Sequence, residues 1–193
     1  MKNELYGEVG KMQTIKILAL SDVHNHLTQE QQALIDSYED IDLVVTLGDM
    51  PIDKIRRVDY GVLGNHDTQI DAEKDLHLNT VSMKGYTLTG VRGCLRYIDG
   101  PELMYTQDEA KLLNIPKADI LLSHDKCYDG SEKVHCGLQV LSEYVDKIKP
   151  RLHIHGHHHT NEIYQKGNTV CVSVYKCALV MVTPNSITVE RLF

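Results

Sequence analysis

No apolar run in this chain approaches the ~20 residues that a membrane-spanning helix needs, so no transmembrane segment is expected. The first 14 residues are polar and lack the apolar stretch of a secretory signal. Cys94, Cys127, Cys136, Cys171 and Cys177 are odd in number and have no close paired spacing. That pattern argues against both a disulfide framework and a thiolate zinc site, and the five read as reduced, mostly packed thiols. Free thiols without a signal segment predict a cytoplasmic protein. Basic charge is also scarce: 20 Lys and Arg against 27 Asp and Glu leave a net charge of −7. Without a basic track there is little to displace counterions, which disfavours nucleic acid as a partner. Two divalent ions would reverse that sign locally, so a small phosphate substrate stays open. Internal repeats, linkers and low-complexity tracts are missing too, leaving no basis for a second domain.

What is present suffices for one sizeable core: 193 residues, 42% hydrophobic and 24% charged. Residues 1–14 read as a flexible N-terminal extension and 15–193 as a single domain. Strands are expected at 15–20, 42–47 and 60–63, with a helix opened by a Thr28/Gln31 capping box between the first two and a short helix near 52–57. This is a βαβαβ pattern with parallel pairing. Segments at 80–83, 86–90 and 95–97 read as a β-meander, followed by a Thr106/Glu109 capping box for a helix to about Leu113. A strand over 119–123 precedes a helix over 137–148 carrying Leu138, Leu141, Val145 and Ile148 on one face, stopped by Pro150. After a strand at 151–155, the apolar segments 163–164, 169–174, 178–182 and 187–192 read as a closing antiparallel set. The expected fold class is α/β: two packed, mostly mixed sheets flanked by helices, a four-layer α/β/β/α sandwich.

Five short runs of metal-liking residues each follow a predicted strand: Asp22-Val23-His24, Gly48-Asp49, Gly64-Asn65-His66-Asp67, Ser123-His124-Asp125 and Gly156-His157-His158-His159. Side chains just past the carboxyl ends of strands in an open α/β sheet converge on one crevice. Asp22, His24, Asp49, Asn65, His124, His157 and His159 thus offer carboxylate, amide and imidazole donors, too many for one ion. Two ions sharing Asp49 would use all seven and leave room for water and substrate. The mixed N/O set suits Mn²⁺, Fe²⁺, Zn²⁺, Co²⁺ or Ni²⁺ better than Mg²⁺ or Ca²⁺, with Mn²⁺ the leading expectation. Any one run alone is weak, since Asp22-Val23-His24 reads equally as a capped loop and Gly48-Asp49 as a turn; the ordered set is specific.

In that order the residues resemble the calcineurin-like metallophosphoesterases, from Asp22 to His159. The resemblance implies a metallophosphoesterase-like sandwich in which Asp22, His24, Asp49 and His159 bind one ion and Asp49, Asn65, His124 and His157 bind the other. It also implies in-line attack on phosphorus by a metal-bridging hydroxide, with His66 as proton donor to the leaving oxygen and Asp67 fixing the orientation of His66. Ser/Thr protein phosphatases of the family extend the second motif to Gly-Asp-x-x-Asp-Arg-Gly and end the third in Asn-His-Glu. Here Asp49 is followed by Met50-Pro51-Ile52-Asp53-Lys54 and the third motif ends in Asp67, so the chain is more similar to compact phosphodiesterase-type members. Asp125 and Lys126 stand where those often carry small residues or proline.

The expected activity is a metal-dependent phosphoric ester hydrolase, a phosphodiesterase acting on a small diester such as a cyclic nucleotide or nucleotide derivative. A phosphomonoesterase of the same mechanism, or a non-catalytic metal-binding scaffold, is the alternative. Outside the site, His153 and His155 share one strand face and read as packed residues behind the ligands. His158 is expected to face solvent, His26 reads as a loop residue, Arg92 as a solvated loop arginine, and His135 as a possible lining of the pocket mouth.

Overall fold

The computed structural model describes residues 11–24, 26–100 and 103–193. The extension expected over residues 1–14 lies largely outside the described residues; where description begins, the Gln13 amide donates to the Lys84 carbonyl at 3.1 Å.

Uninterrupted apolar runs form the inner strands, because a strand covered on both faces cannot alternate with polar residues. In chain order the elements are β1 (Ile15–Ser21), α1 (Gln29–Ser37), β2 (Leu43–Thr46), a 3₁₀ turn (Ile52–Lys54), β3 (Tyr60–Gly61), β4 (Thr80–Met83), β5 (Tyr86–Val91), β6 (Cys94–Leu95) and β7 (Met104–Tyr105). They continue with α2 (Gln107–Ala110), β8 (Ile120–Ser123), α3 (Gln139–Ile148), β9 (Leu152–His155), β10 (Ile163–Lys166), β11 (Thr169–Ser173), β12 (Lys176–Val182) and β13 (Ile187–Arg191). One sheet has the order β13-β12-β1-β2-β3, the other β10-β11-β9-β8-β5-β4. In the first, β1, β2 and β3 run parallel and β12 and β13 antiparallel. In the second, β5, β8, β9 and β11 run parallel between antiparallel edge strands β4 and β10.

The inward faces of both sheets share a core that includes Ile17, Val45, Leu88, Leu122, Ile154 and Val180. A second cluster, with Leu18, Leu20 and Ile35, lies between the first sheet and α1, and a third, with Leu121, Leu141 and Val145, between the second sheet and α3. Helix, sheet, sheet, helix is the expected layering. Full burial of Leu141 or Val145 contributes about 1.5–3 kcal/mol each.

Both capping boxes form: Thr28 and Thr106 accept from the amides of Gln31 and Glu109, whose side chains return the bond to the cap amides. The second helix is shorter than expected, because Leu112 and Leu113 bond back only three residues and the turn tightens after Ala110. Helix α3 ends at Lys149, which adopts φ 57° ahead of Pro150.

The strand pairing departs from the sequence reading in two places. Cys94–Leu95 leaves the expected meander for a separate parallel ribbon with β7, while β5 stays in the sheet between β4 and β8. Gly93, at φ 69°, turns the chain outward between them, and a Cβ there would strike the Leu103 carbonyl. The last four strands do not close one antiparallel set either. Strands β10 and β11 extend the second sheet, with β11 parallel to β9, and β12 and β13 extend the first. Burial explains the split: β11 is almost wholly buried and needs neighbours on both sides, whereas half-exposed β10 suits an edge.

Candidate metal centre

The ends of β1, β2, β8 and β9 are laced together by backbone bonds before any side chain is counted. The amides of Asp22 and His24 donate to the carbonyls of Gly48 and Asp49 at 3.1 and 2.8 Å, and the Gly156 amide donates to the His124 carbonyl at 3.0 Å. Two glycines permit the close approach. A Cβ on Gly64 would collide with the Asp49 carboxylate, and one on Gly156 with the Ser21 hydroxyl.

Asp22, His24, Asp49, His157 and His159 all adopt positive φ, at 55, 52, 54, 67 and 51°. Such backbone costs about 1 kcal/mol or more per non-glycine residue, so its concentration in five of the seven expected ligands marks a site where geometry outranks stability.

Asp22 and Asp49 are 2% and 3% exposed. Among the described residues neither pairs with Lys or Arg; the charge partners within 4 Å are imidazoles, His159 for Asp22 and His24 and His124 for Asp49. Asp22 Oδ2 accepts from the Ser21 hydroxyl at 2.5 Å and the His157 amide at 2.8 Å, but its Oδ1 is buried without a hydrogen-bond partner among the described residues. Two buried carboxylates, one with an orphaned oxygen, call for a cation.

The imidazoles supply the matching half. His124 Nδ1 stands 2.8 Å from the Leu47 carbonyl, which fixes its proton there and leaves Nε2 as a bare lone pair. That Nε2 faces Asn65 Oδ1 at 3.0 Å, and the Asn65 orientation is set by Nδ2 donating to the Tyr97 hydroxyl at 3.2 Å. His24 Nε2 and His159 Nε2 similarly meet at 3.4 Å, with Asp22 Oδ1 3.6 Å from His159 Nε2. Donor atoms each ~2.1 Å from one ion stand about 3.0–3.4 Å apart in octahedral or tetrahedral sets, so these spacings fit a shared divalent ion in each group. Asp49 Oδ2 lies between them, 4.0 Å from His24 Nδ1 and 3.6 Å from His124 Nε2.

His157 sits beside the second group, its ring 4.9 Å from that of His124, and burial next to His124 pushes its pKa down to about 3. It also lies near Asp125 and His158, a third grouping of potential ligand atoms. That grouping is a hydrogen-bonded support rather than an ion cup. Asp125 accepts from His158 Nε2 at 2.9 Å and from the amides of Lys126 and Leu95 at 2.8 Å each, which leaves little lone-pair capacity. Burial alone would raise its carboxyl; the His158 bond, the neighbouring imidazoles and the Leu95 amide outweigh that and hold it at about 2.

His66 is exposed at the edge of the site, its ring 5.4 Å from His24 and its amide donating to Asp49 Oδ1 at 2.9 Å. Asp67 does not take the orienting part expected of it: its Oδ2 accepts from the amides of Asp49 and Gly64, at 2.7 and 2.8 Å, and clamps the two ligand-bearing loops to each other. Burial, against those two bonds, leaves its pKa raised.

Five further expectations resolve. His153 and His155 are buried behind the ligands on Ser123 Oγ and the Tyr164 hydroxyl, at 2.6 and 2.9 Å. His158 turns inward to Asp125 instead of facing solvent. Arg92 is half-buried, with Nε enclosed and unpartnered among the described residues, so it is not a solvated loop arginine. His26 is exposed, and His135 stands at the mouth with its ring 4.6 Å from Tyr97 and 5.3 Å from His157. Tyr97 went unnoticed in the sequence, where a tyrosine after Cys94-Leu95-Arg96 carries no motif.

The fold agrees with the comparisons. A search of curated proteins finds no match. Among solved structures, TT1561 of Thermus thermophilus is similar over 92% of this chain and 99% of its own, at TM-score 0.61 and 16% identity. A novel archaeal phosphodiesterase aligns over 92% and 100% at TM-score 0.51 and 10% identity. Vacuolar Protein Sorting 29 from Cryptosporidium parvum aligns over 92% and 96% at TM-score 0.50 and 11% identity, so the fold itself does not separate catalysis from other roles. The model of the calcineurin-like phosphoesterase superfamily domain matches residues 15–175, and the chain therefore belongs to that superfamily.

Proposed function

We propose that the protein is a phosphoesterase using two divalent transition-metal ions, with Mn²⁺ the leading candidate, and that its substrate is a small phosphodiester such as a cyclic nucleotide or nucleotide derivative. The observation that supports this most is the close approach of potential ligand atoms, Asn65 Oδ1 to His124 Nε2 at 3.0 Å and His24 Nε2 to His159 Nε2 at 3.4 Å, around two buried carboxylates that pair with no Lys or Arg among the described residues. Asp22, His24, Asp49 and His159 would hold one ion, and Asp49, Asn65, His124 and His157 the other.

When bound, such ions supply Lewis acidity, lowering the pKa of water and offsetting charge on phosphoryl oxygens. The chain's own residues do the rest. As the oxygen of water bonds to phosphorus, its proton passing to solvent, and the ester P–O bond breaks, the exposed ring of His66 delivers a proton to the departing oxygen. Asp67 keeps the His66 and Asp49 loops in register through their amides. Tyr97 and His135 wall the site beside His157. A cytoplasmic setting belongs to the same reading, supported by five free, buried thiols.

The test is initial rates on bis-p-nitrophenyl phosphate and p-nitrophenyl phosphate side by side, with chelator-stripped protein reloaded with Mn²⁺. A metal-dependent rate favouring the diester is expected. Preference for the monoester would make the protein a phosphomonoesterase, and two bound ions with silence on both substrates would point to a scaffold.

A further inference from the structure

A groove of about 760 Å³ opens directly on His66. Its walls come from the segment after Asp49, with Asp53, and from the segment after Asn65, with Thr68, Gln69, Asp71 and Lys74. Met50 and His66, next in sequence to the expected ligands Asp49 and Asn65, are in the lining, and His66 is the residue the groove shares with the edge of the site.

Resting on the reading above, the geometry points to this groove as the seat of the leaving alcohol, and to substrates whose leaving alcohol is polar and either neutral or cationic, not anionic. The oxygen that His66 protonates is the one that departs, so the group attached to it must occupy the space that His66 faces. Beside apolar Met50, Pro51, Ile52 and Ile70, the lining offers exposed Thr68 and Gln69 to bond hydroxyls, and its charge is net acidic. Lys74 is the cation in the lining, and it is spent on Asp71 at 2.9 Å. Asp53, exposed on the 3₁₀ turn, pairs with no cation among the described residues, and Lys54 and Arg56 are not in the lining. A second phosphate or a carboxylate on the leaving side would share the groove with that carboxylate and be repelled by it, the more so at low salt. Polyphosphates and internal bonds of nucleic acids carry such a charge, whereas glycol-, sugar-, nucleoside- or choline-like leaving groups do not.

The experiment uses the full chain loaded with Mn²⁺ and a set of methyl aryl phosphodiesters differing in the leaving phenol: a trimethylammonium, a neutral acetamido or a carboxylate substituent. Rates are corrected for phenol acidity with a series of neutral phenols. The expected order of kcat/KM is cationic over neutral over anionic, spanning about tenfold at low salt and narrowing as salt rises. Asp53→Asn should compress the span and Asp53→Lys should reverse it, with metal stoichiometry unchanged in both. Equal corrected rates for all three esters, or a span indifferent to Asp53→Lys, would overturn the assignment of the groove while leaving the phosphodiesterase reading intact. Failure of the metal-loaded protein on every ester would instead remove that reading and this inference with it.

Discussion

Asn65 Oδ1 and His124 Nε2 face each other across 3.0 Å; in a neutral His124 the one ring proton is committed to the Leu47 carbonyl, and the Asn65 amide donates to Tyr97, so lone pair meets lone pair. Two lone pairs held this way repel until a cation joins them. The chelated protein should therefore be markedly less stable than the loaded one. Free Mn²⁺ at a hundred times its Kd adds about 2.7 kcal/mol per site, or roughly 5–10 °C in Tm for a chain of this size. Thermal unfolding with chelator and with Mn²⁺ reads the shift directly, and coincident curves would remove the metal centre.

The Tyr97 hydroxyl fixes which end of the Asn65 amide faces His124. Tyr97→Phe removes only that oxygen. Partners behind a ligand typically carry about 10–100-fold in metal affinity. Calorimetric Mn²⁺ titration should show one of two sites weakened about tenfold and the other unchanged; equal weakening of both, or of neither, would assign Tyr97 no part in orienting Asn65.

His66 has an exposed ring beside the ligands and is expected to act on the leaving oxygen, not on an ion. The substitution His66→Asn should keep both metals and lose about 10²–10⁴-fold in kcat on alkyl esters, whose leaving oxygens need a proton. On p-nitrophenyl esters, whose leaving group departs as an anion, the loss should be much smaller. Metal analysis alongside the two rates separates this outcome from one in which His66 is a ligand.

Much of this was legible in the sequence because strand ends in an α/β sheet converge, and a motif that follows a buried strand inherits its position. The meeting of the strand-end side chains follows from that rule, while the four layers follow from apolar patterning and both capping boxes from the local spacing of Thr28 with Gln31 and Thr106 with Glu109. The misread parts depend on contacts between distant segments. Asp67 lies next to His66 in sequence, which suggests a pair, but its carboxylate reaches the Asp49 amide eighteen positions away. His158 fills the variable slot of the motif this chain resembles, which suggests solvent, but the chain turns at Gly156 after β9 and Asp125 captures the ring. The split of the last four strands turns on burial of β11, which its sequence shares with any apolar strand.

Because Asp67 holds two amides from the loops that carry Asp49 and Asn65, its removal should act on stability and metal binding together. Asp67→Ala leaves the Asp49 and Gly64 amides without their acceptor, at about 1–3 kcal/mol for each unsatisfied group. Urea unfolding of the chelated protein should show a loss of about 2–4 kcal/mol, and Mn²⁺ affinity should fall as well. Asp67→Asn, which retains an acceptor oxygen, should recover part of both, whereas a purely catalytic Asp67 would leave the unfolding midpoint unmoved.

Acid should weaken the chelated protein well above the carboxylate range. Burial pushes the His155 pKa down to about 4, and burial together with nearby His155 lowers His153 well below its ordinary 6.5. The unfolded chain takes up protons at these rings near pH 6.5, while folded His155 refuses them until about 4. The unfolded state thus binds more protons across that window, and stability falls as pH drops from 6.5 toward 4, by up to ~1.4 kcal/mol per pH unit for each histidine. Below about 4 the His155 contribution levels off. His155→Gln, which offers the Tyr164 hydroxyl a partner without a titrating ring, should flatten the curve between pH 6.5 and 4 and leave the plateau above about pH 7 with a pH-independent offset. Denaturant midpoints measured from about pH 8 to 4 on both proteins decide it: parallel curves would show that His155 takes up its proton equally in the folded and unfolded chain.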